Sequence, residues 1–334
     1  MSKNRSGAVD IKAVQFELWQ ICNNNCKFCY LNHGRVFSTP EKMIQNIQQA
    51  KQFITDQDKM KSYNCIGLIG GEFFQGQLST EMLKKEFLGL ISTMNEQIIN
   101  KNVLELWITA SLMDEDLTDL FASLDLLDFD KMDDDCRVFL CTSYDSQGRF
   151  RDDNHKELWY KNLEIIKQKY PKLFLHTQII TTQAFLEEVN NGGFSFEKLD
   201  KLSGVDYKLP GSFRIYYTDK IKNKEAYPKH LREVKPQFPP KFFVEHRDDF
   251  LRFLRQMADF YGAEKLLQFA DNKARSMTLI SFEDDHTIWD RWSEDNSSEN
   301  ADCGHPYDSY AYLDSNKCAR CDAMTLYNMI MEEN

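Results

Sequence analysis

Residues 21–30 read ICNNNCKFCY, and in this run Cys22, Cys26 and Cys29 follow the spacing C-x-x-x-C-x-x-C. An iron–sulfur cluster is normally held by four thiolates, so three closely spaced cysteines leave one iron without a protein ligand. Structural zinc or a disulfide is the alternative, but structural zinc takes four ligands, and the next histidine or cysteine is His33. The spacing therefore predicts an iron–sulfur cluster with one open coordination position.

Composition restricts the class of protein further. The chain has 334 residues, enough for one large α/β domain or two smaller ones, and its net charge is -11. This acidic balance argues against general binding to a nucleic-acid backbone. Residues 1–12 contain no secretory signal and no apolar run could span a bilayer, so we expect a cytoplasmic protein without a membrane partner. In a reducing compartment, nine cysteines indicate metal binding, catalysis or burial rather than disulfides.

Around the cysteine run, short β-branched segments alternate with longer amphipathic ones, as in βα units. The predicted strands are 14–19, 64–69, 103–109, 137–143, 173–181 and 213–217. The predicted helices between them are 39–55, 80–99, 114–124, 154–169 and 196–202. This alternation predicts an α/β fold, a partial (β/α)6 barrel with its site at the carboxyl ends of the strands.

Beyond residue 218 the alternation weakens. Residues 220–241 are rich in lysine and proline and predict a loop or lid, 243–269 regain helical periodicity, and the acidic stretch 284–302 predicts a surface linker. We therefore divide the chain into a core barrel, a helical and loop extension covering it, and a cysteine-rich metal-binding segment, at 1–218, 219–283 and 284–334.

The predicted strand ends carry further motifs. The second strand ends in Gly70-Gly71-Glu72, the third in Thr109-Ala110-Ser111, and the fourth continues as TSYDSQGRFR, residues 142–151. Phe28 stands immediately before the last cysteine of the run. In order and position, these motifs resemble those of the radical S-adenosylmethionine (radical SAM) superfamily over roughly the first two-thirds of the chain.

The resemblance implies a [4Fe–4S] cluster on Cys22, Cys26 and Cys29 whose open iron binds S-adenosylmethionine (SAM). An electron from the reduced cluster, supplied by a donor such as flavodoxin or ferredoxin, would cleave SAM to a 5′-deoxyadenosyl radical. That radical would remove a hydrogen atom from the substrate. The chemistry would belong mostly to the cofactor, and the protein would bind, orient and exclude water.

The resemblance also implies a cofactor contact for individual residues. Phe28 and the backbone at Tyr30 would flank the adenine, and Glu72 would accept hydrogen bonds from the amino group. Gly70 and Gly71 would let the backbone approach the methionine moiety, since only glycine adopts positive φ cheaply.

The third to fifth strands add polar candidates. Ser143 is a candidate for the ribose or the carboxylate, and Arg149 or Arg151 for the carboxylate, which arginine can bind bidentately. Thr109 lies where it could face the cofactor. For three more polar residues of the fifth strand we favour a structural role over a site role. His176 is then a core or surface histidine, and Thr177 and Gln178 are buried polar groups satisfied by the backbone.

A second cysteine group lies in the tail, where Cys318 and Cys321 form a chelating pair and Cys303 precedes His305. One interpretation is an auxiliary iron–sulfur cluster, similar to a shortened SPASM or Twitch extension. The other is a zinc site of Cys303, His305, Cys318 and Cys321. Outside both groups, buried structural thiols account for Cys65, Cys136 and Cys141.

Three functions remain open. The first is a radical SAM enzyme that oxidises or crosslinks a peptide or protein side chain, favoured by the resemblance of the tail to SPASM and Twitch maturases. The second is the same chemistry on a small molecule such as a nucleotide, a sugar or a cofactor precursor. The third is a non-catalytic iron–sulfur protein that binds or senses.

Overall fold

The structure, a computed structural model, describes residues 11–24, 26, 38–146, 149–208, 247–267, 276–281, 287–291 and 319–333. Eight strands are described: β1 Lys12–Glu17, β2 Cys65–Ile69, β3 Glu105–Thr109, β4 Arg137–Tyr144, β5 Phe174–Ile180, β6 Gly204–Lys208, β7 Ser276–Ser281 and β8 Thr287–Arg291. They form one open sheet with the order β6-β5-β4-β3-β2-β1-β7-β8.

The described helices are α1 Pro40–Thr55, α2 Gln57–Met60, α3 Glu81–Ile99, α4 Thr118–Leu124, α5 Asp153–Lys169, α6 Gln183–Asn190, α7 Phe196–Asp200, α8 Arg247–Tyr261 and α9 Ala319–Glu333, with a 3-10 turn at Ala263–Leu266. In the described residues, no helix is both long enough and apolar enough to cross a bilayer.

Strands β1 to β6 are parallel and lie side by side in chain order. Because parallel crossovers are almost always right-handed, this order places every crossover helix on the same face of the sheet. The predicted α/β fold with a partial (β/α)6 barrel is therefore confirmed, and the sheet does not close within the described residues.

Side-chain capping fixes the start of several crossover helices. The Thr39 side chain accepts from the backbone N–H of Lys42 and precedes Pro40 at the first helical position, and Thr80 accepts from Leu83. These are two of the helix starts that the sequence predicts. At both sites the helix bounds agree with the predictions to within one position.

The C-terminal half departs from the predicted elements. The sixth strand is Gly204–Lys208, whereas the predicted strand at 213–217 lies outside the described residues. Helix α6, capped by Thr182, is an additional element. The acidic stretch 284–302 is not a linker throughout, because it contains β8, which pairs antiparallel with β7. Strand β7 in turn pairs parallel with β1, so a C-terminal segment extends the sheet beside the strand that leads into the cysteine run.

The two faces of the sheet differ in polarity. The face under the helices is apolar and buried; there Trp159 of α5 donates to Thr142 of β4 at 3.2 Å. On the opposite face, called the open face here, strand alternation and register place an aromatic row of Trp107, Phe139 and Phe174. The same face carries the polar side chains and one thiol of Gln15, Glu17, Glu105, Thr109, Cys141, Ser143, His176, Gln178 and Asp206.

Candidate active site at the carboxyl ends of β1 to β4

The chain leaving β1 is fastened to the end of β2. The backbone N–H of Gly71 donates to the carbonyl of Trp19 at 2.9 Å, and that of Glu72 donates to the carbonyl of Ile21 at 2.9 Å. The Trp19 indole also donates to the carbonyl of Glu72 at 2.8 Å. These bonds fix the residues immediately before Cys22, which positions the start of the cysteine run against the second strand end.

The two glycines make this contact sterically feasible. Gly70 has φ of 144°, and a Cβ there would lie 2.4 Å from the carbonyl oxygen of Trp19. A Cβ on Gly71 would lie 1.9 Å from the carbonyl oxygen of Ile21. Within the described residues, glycine is therefore required at both positions because the chain leaving β1 passes so close to the end of β2.

Glu72 is buried, with 3% of its surface exposed, and its carboxylate accepts backbone hydrogen bonds. One oxygen, Oε1, accepts from the N–H of Phe73 and of Phe74, both at 3.0 Å. The other, Oε2, accepts from the N–H of Ser111 at 2.8 Å. A carboxylate has about four acceptor positions, so Glu72 joins the second and third strand ends and retains about one position for a ligand.

Two asparagines of the cysteine run bind the segment that follows Glu72. Asn23 donates through Nδ2 to the carbonyl of Gln75 at 2.7 Å, and Asn24 donates to the Gln75 side-chain oxygen at 3.1 Å. The backbone N–H of Asn24 also points at the Cys22 sulfur, 3.4 Å away. The asparagine run between Cys22 and Cys26 is the signal that could have identified these residues from the sequence.

Arg149 connects the third and fourth strand ends with the cysteine run. Its Nη1 donates to Ser143 Oγ at 3.0 Å and lies 3.9 Å from the sulfur of Cys26, while Nη2 donates to the carbonyl of Ser111 at 3.0 Å. The remaining nitrogen, Nε, is buried without a partner. We call Cys22, Cys26, Gly70, Gly71, Glu72, Ser111, Ser143 and Arg149 the strand-end site.

Burial and nearby charges shift the pKa of both thiols of the cysteine run that the structure describes. Desolvation raises the pKa of Cys22 to about 11, and the nearby Glu72 carboxylate acts in the same direction while Arg149 opposes it. Desolvation also raises the pKa of Cys26, and the Arg149 guanidinium offsets part of that rise. Binding a metal as thiolates would therefore displace protons from this site.

The described part of the site fits a cluster and an anionic ligand. Cys22 and Cys26 are both free thiols, and thiolates are the ligands that iron–sulfur clusters take. Beside them, Ser111 Oγ and Arg149 Nε are buried polar atoms without a hydrogen-bond partner. A hydroxyl and a guanidinium N–H suit a carboxylate oxygen, because buried polar groups are normally satisfied.

Several predicted site residues lie apart from this arrangement or beyond description. Phe28, Cys29 and Tyr30 lie outside the described residues, as do Cys303, His305 and Cys318. Cys321 lies in α9, and its side chain is not described. Within the described ranges, no three His, Cys, Asp or Glu side chains are close enough to hold a metal, so both predicted metal sites stay predictions.

The two candidate arginines separate clearly. Arg149 is half-buried in the strand-end site, whereas the side chain of Arg151 is exposed and its backbone N–H donates to His155 Nδ1 at 3.3 Å. Ser143 contacts Arg149 as described above, and Thr109 is half-buried on the open face at the end of β3. Ser111 is the site residue that the sequence argument placed in a motif without giving it a role.

The fifth strand also divides its polar residues between the two faces. Thr177 is buried on the helix side and shares a hydrogen bond with Ser203 at 2.6 Å. His176 and Gln178 lie on the open face, where His176 Nε2 is 3.3 Å from Asp206 Oδ2. Among the remaining thiols, Cys65 is buried, and Cys136 and Cys141 are half-buried.

The comparisons with known proteins leave the family unassigned. No family model matches the chain, and no curated protein matches it. Among solved structures, the chain is similar to Streptococcus suis SuiB bound to precursor peptide SuiA, with a TM-score of 0.42 and 12% sequence identity. The likeness covers 94% of this chain and 71% of that chain.

Proposed function

We propose that this chain is a radical SAM enzyme whose cofactors bind at the strand-end site. The observation that carries the proposal is the meeting of four motif segments at one sheet edge. Hydrogen bonds join the end of β1 to Gly71 and Glu72, Glu72 to Ser111, and Ser111 through Arg149 to Ser143 and Cys26. Carboxyl ends of parallel strands are where α/β enzymes bind ligands.

In this proposal the thiolates of Cys22, Cys26 and Cys29 hold a [4Fe–4S] cluster. When bound, the cluster and SAM supply a strongly oxidising carbon radical that removes a hydrogen atom from the substrate. The chain itself binds and orients: the remaining acceptor position of Glu72 takes an N–H of the SAM amino group. Arg149 Nε and Ser111 Oγ take its carboxylate, which satisfies both buried atoms.

For the substrate we propose a peptide or protein side chain that is oxidised or crosslinked. The support is the resemblance of the tail cysteines Cys303, Cys318 and Cys321 to SPASM and Twitch extensions. The open face supplies a polar surface beside the strand-end site, because Ser143 pairs in register with Gln178, and Gln178 with Asp206. Radical modification of a small molecule is the alternative that the substrate test below separates.

The same proposal includes a second metal centre in the tail, an auxiliary cluster with zinc as the alternative, and an electron donor such as flavodoxin or ferredoxin. It also includes a cytoplasmic location. A thiolate-bound cluster that must be reduced to act requires a reducing environment, which the cytoplasm provides.

The test of the chemistry is release of 5′-deoxyadenosine by the anaerobically reconstituted chain with dithionite and SAM. The intact protein should release it and Cys26→Ala should not. Cys136→Ala is the matched control, since Cys136 lies at the amino end of β4, the opposite edge of the sheet from the strand-end site. Release by Cys26→Ala, or none by the intact protein, contradicts the proposal, and the second result favours the sensing alternative.

The test of the substrate is mass spectrometry of a peptide encoded next to this gene after incubation with the loaded enzyme and SAM. We expect the peptide to lose the mass of one or more pairs of hydrogen atoms, and fragmentation should locate the loss on a side chain. If neighbouring peptides stay unmodified while a nucleotide or sugar increases 5′-deoxyadenosine release, the small-molecule alternative replaces the peptide proposal.

A further inference from the structure

Arg149 is held in place by the chain itself before any ligand binds. Its Nη2 donates to the carbonyl of Ser111 and its Nη1 to Ser143 Oγ, both at 3.0 Å, so the side chain is tied to the ends of β3 and β4. The anchors fix where the rest of the guanidinium points.

The anchored guanidinium points at a thiol of the cysteine run. Nη1 lies 3.9 Å from the sulfur of Cys26, and Cys26 is buried, with 8% of its surface exposed. Among the described residues, the Arg149 cation acts on this sulfur, and the carboxylates of Asp145 and Glu72 oppose it. In a buried site, one positive charge beside the sulfur has a larger effect than it would in water.

We propose that Arg149 is a positioning residue that donates a hydrogen bond to the cluster-bound sulfur of Cys26 and raises the reduction potential of the cluster. The inference rests on the proposed function, since it needs the cluster to be present. Hydrogen bonds to cluster sulfurs and the local net charge set cluster potentials, because both stabilise the reduced form, which carries one more negative charge. This role uses Nη1 and is separate from the carboxylate contact proposed for Nε.

The test is to measure the midpoint potential of the reconstituted cluster without SAM. The cluster is reduced stepwise, and electron paramagnetic resonance monitors the reduced form at each potential. Arg149→Gln should lower the ratio of reduced to oxidised cluster about tenfold at a fixed potential, which corresponds to a shift of 59 mV for one electron. Arg149→Lys keeps the charge and loses the planar fork, so its shift should be smaller. Arg137→Gln is the matched control, because Arg137 lies exposed at the amino end of β4.

The iron content of each sample separates the two proposals. If the intact protein takes up no iron, the proposed function fails. If Arg149→Gln and the intact protein load equally and have the same midpoint, Arg149 does not act on the cluster, and the inference alone is overturned. Weaker SAM binding with an unchanged ligand-free midpoint overturns it too, because that pattern belongs to the carboxylate contact.

If Arg149→Gln fails to load, Arg149→Lys decides. A midpoint below that of the intact protein supports the inference, and an unchanged midpoint counts against it.

Discussion

Replacing Gly71 by alanine should destabilise the protein and impair cluster assembly. The new Cβ would lie 1.9 Å from the carbonyl oxygen of Ile21, whereas real Cβ contacts are essentially never below 3.0 Å. That carbonyl must therefore move by an ångström or more, although it accepts the Glu72 N–H at 2.9 Å. Overpacking costs about 1–3 kcal/mol. A lost buried hydrogen bond adds about 1 kcal/mol. We expect the free energy of unfolding to fall by about 2–4 kcal/mol in total.

The assay is urea unfolding of the metal-free protein, with the shift in midpoint converted through the shared slope. Iron content after reconstitution is the second measurement. It should fall as well, because Ile21 directly precedes Cys22 and must move to accommodate the methyl group. A stability loss alone would follow from many core substitutions, so the pair of results is the specific expectation.

Gly89→Ala is the matched control. Gly89 lies inside α3, and a Cβ there would meet only the flexible end of Lys51, whose Nζ is 3.1 Å away. Alanine is better than glycine inside a helix, so this variant should gain about 0.5–1 kcal/mol and load iron normally. The reasoning is refuted if Gly71→Ala unfolds at the midpoint of the intact protein or above it, since the backbone contact would then not be as tight as the structure has it.

Two further predictions concern the thiols. In the metal-free protein, the free energy of unfolding should fall as the pH rises from 9.0 to about 11, because burial raises the pKa of Cys22 across that window and the folded chain keeps a proton that the unfolded chain releases. Urea titrations should find a shallower fall in Cys22→Ser, and equal slopes would contradict the assignment. In the tail, Cys318→Ala/Cys321→Ala should contain less iron than the intact protein by elemental analysis, whereas loss of zinc alone would exclude an auxiliary cluster.

Local signals account for the elements that the sequence predicts well. Thr39 and Thr80 are caps whose side chains accept from residues three positions on, so the start of each helix is written in four adjacent residues. Strands β1 to β5 are likewise short runs rich in apolar residues, and each lies within two residues of its predicted bounds. The strand-end motifs follow from the same local reading, because a motif that directly follows a strand must lie at its carboxyl end.

Elements that depend on distant partners were not predictable in this way. Strand β6 reads GVDYK, a short run broken by glycine and aspartate, and its place in the sheet depends on pairing with β5. Strand β8 lies in an acidic stretch and depends on β7. A window of sequence contains neither partner, so local patterning favours the more regular run at 213–217 as the sixth strand.

The choice between Arg149 and Arg151 illustrates the same limit within the site. Both follow the fourth strand, and the two differ by two positions in a segment without regular structure, where alternation gives no orientation. The difference arises from Ser143 and Ser111, which lie on two strand ends and together anchor Arg149. Ser111 itself has no distinguishing local signal, since its role comes from the Glu72 carboxylate that its N–H meets.

The pairing of β7 with β1 has a consequence for synthesis of the chain. Lys12 pairs with Ser276 and Glu17 with Ser281, so the strand that leads into the cysteine run has a neighbour on one side only until the ribosome has passed residue 281. At about 5–20 residues per second, that interval lasts on the order of 10–50 seconds. During it, the first strand offers an unpaired hydrogen-bonding edge beside reactive thiols, a state in which aggregation and premature oxidation both compete with folding.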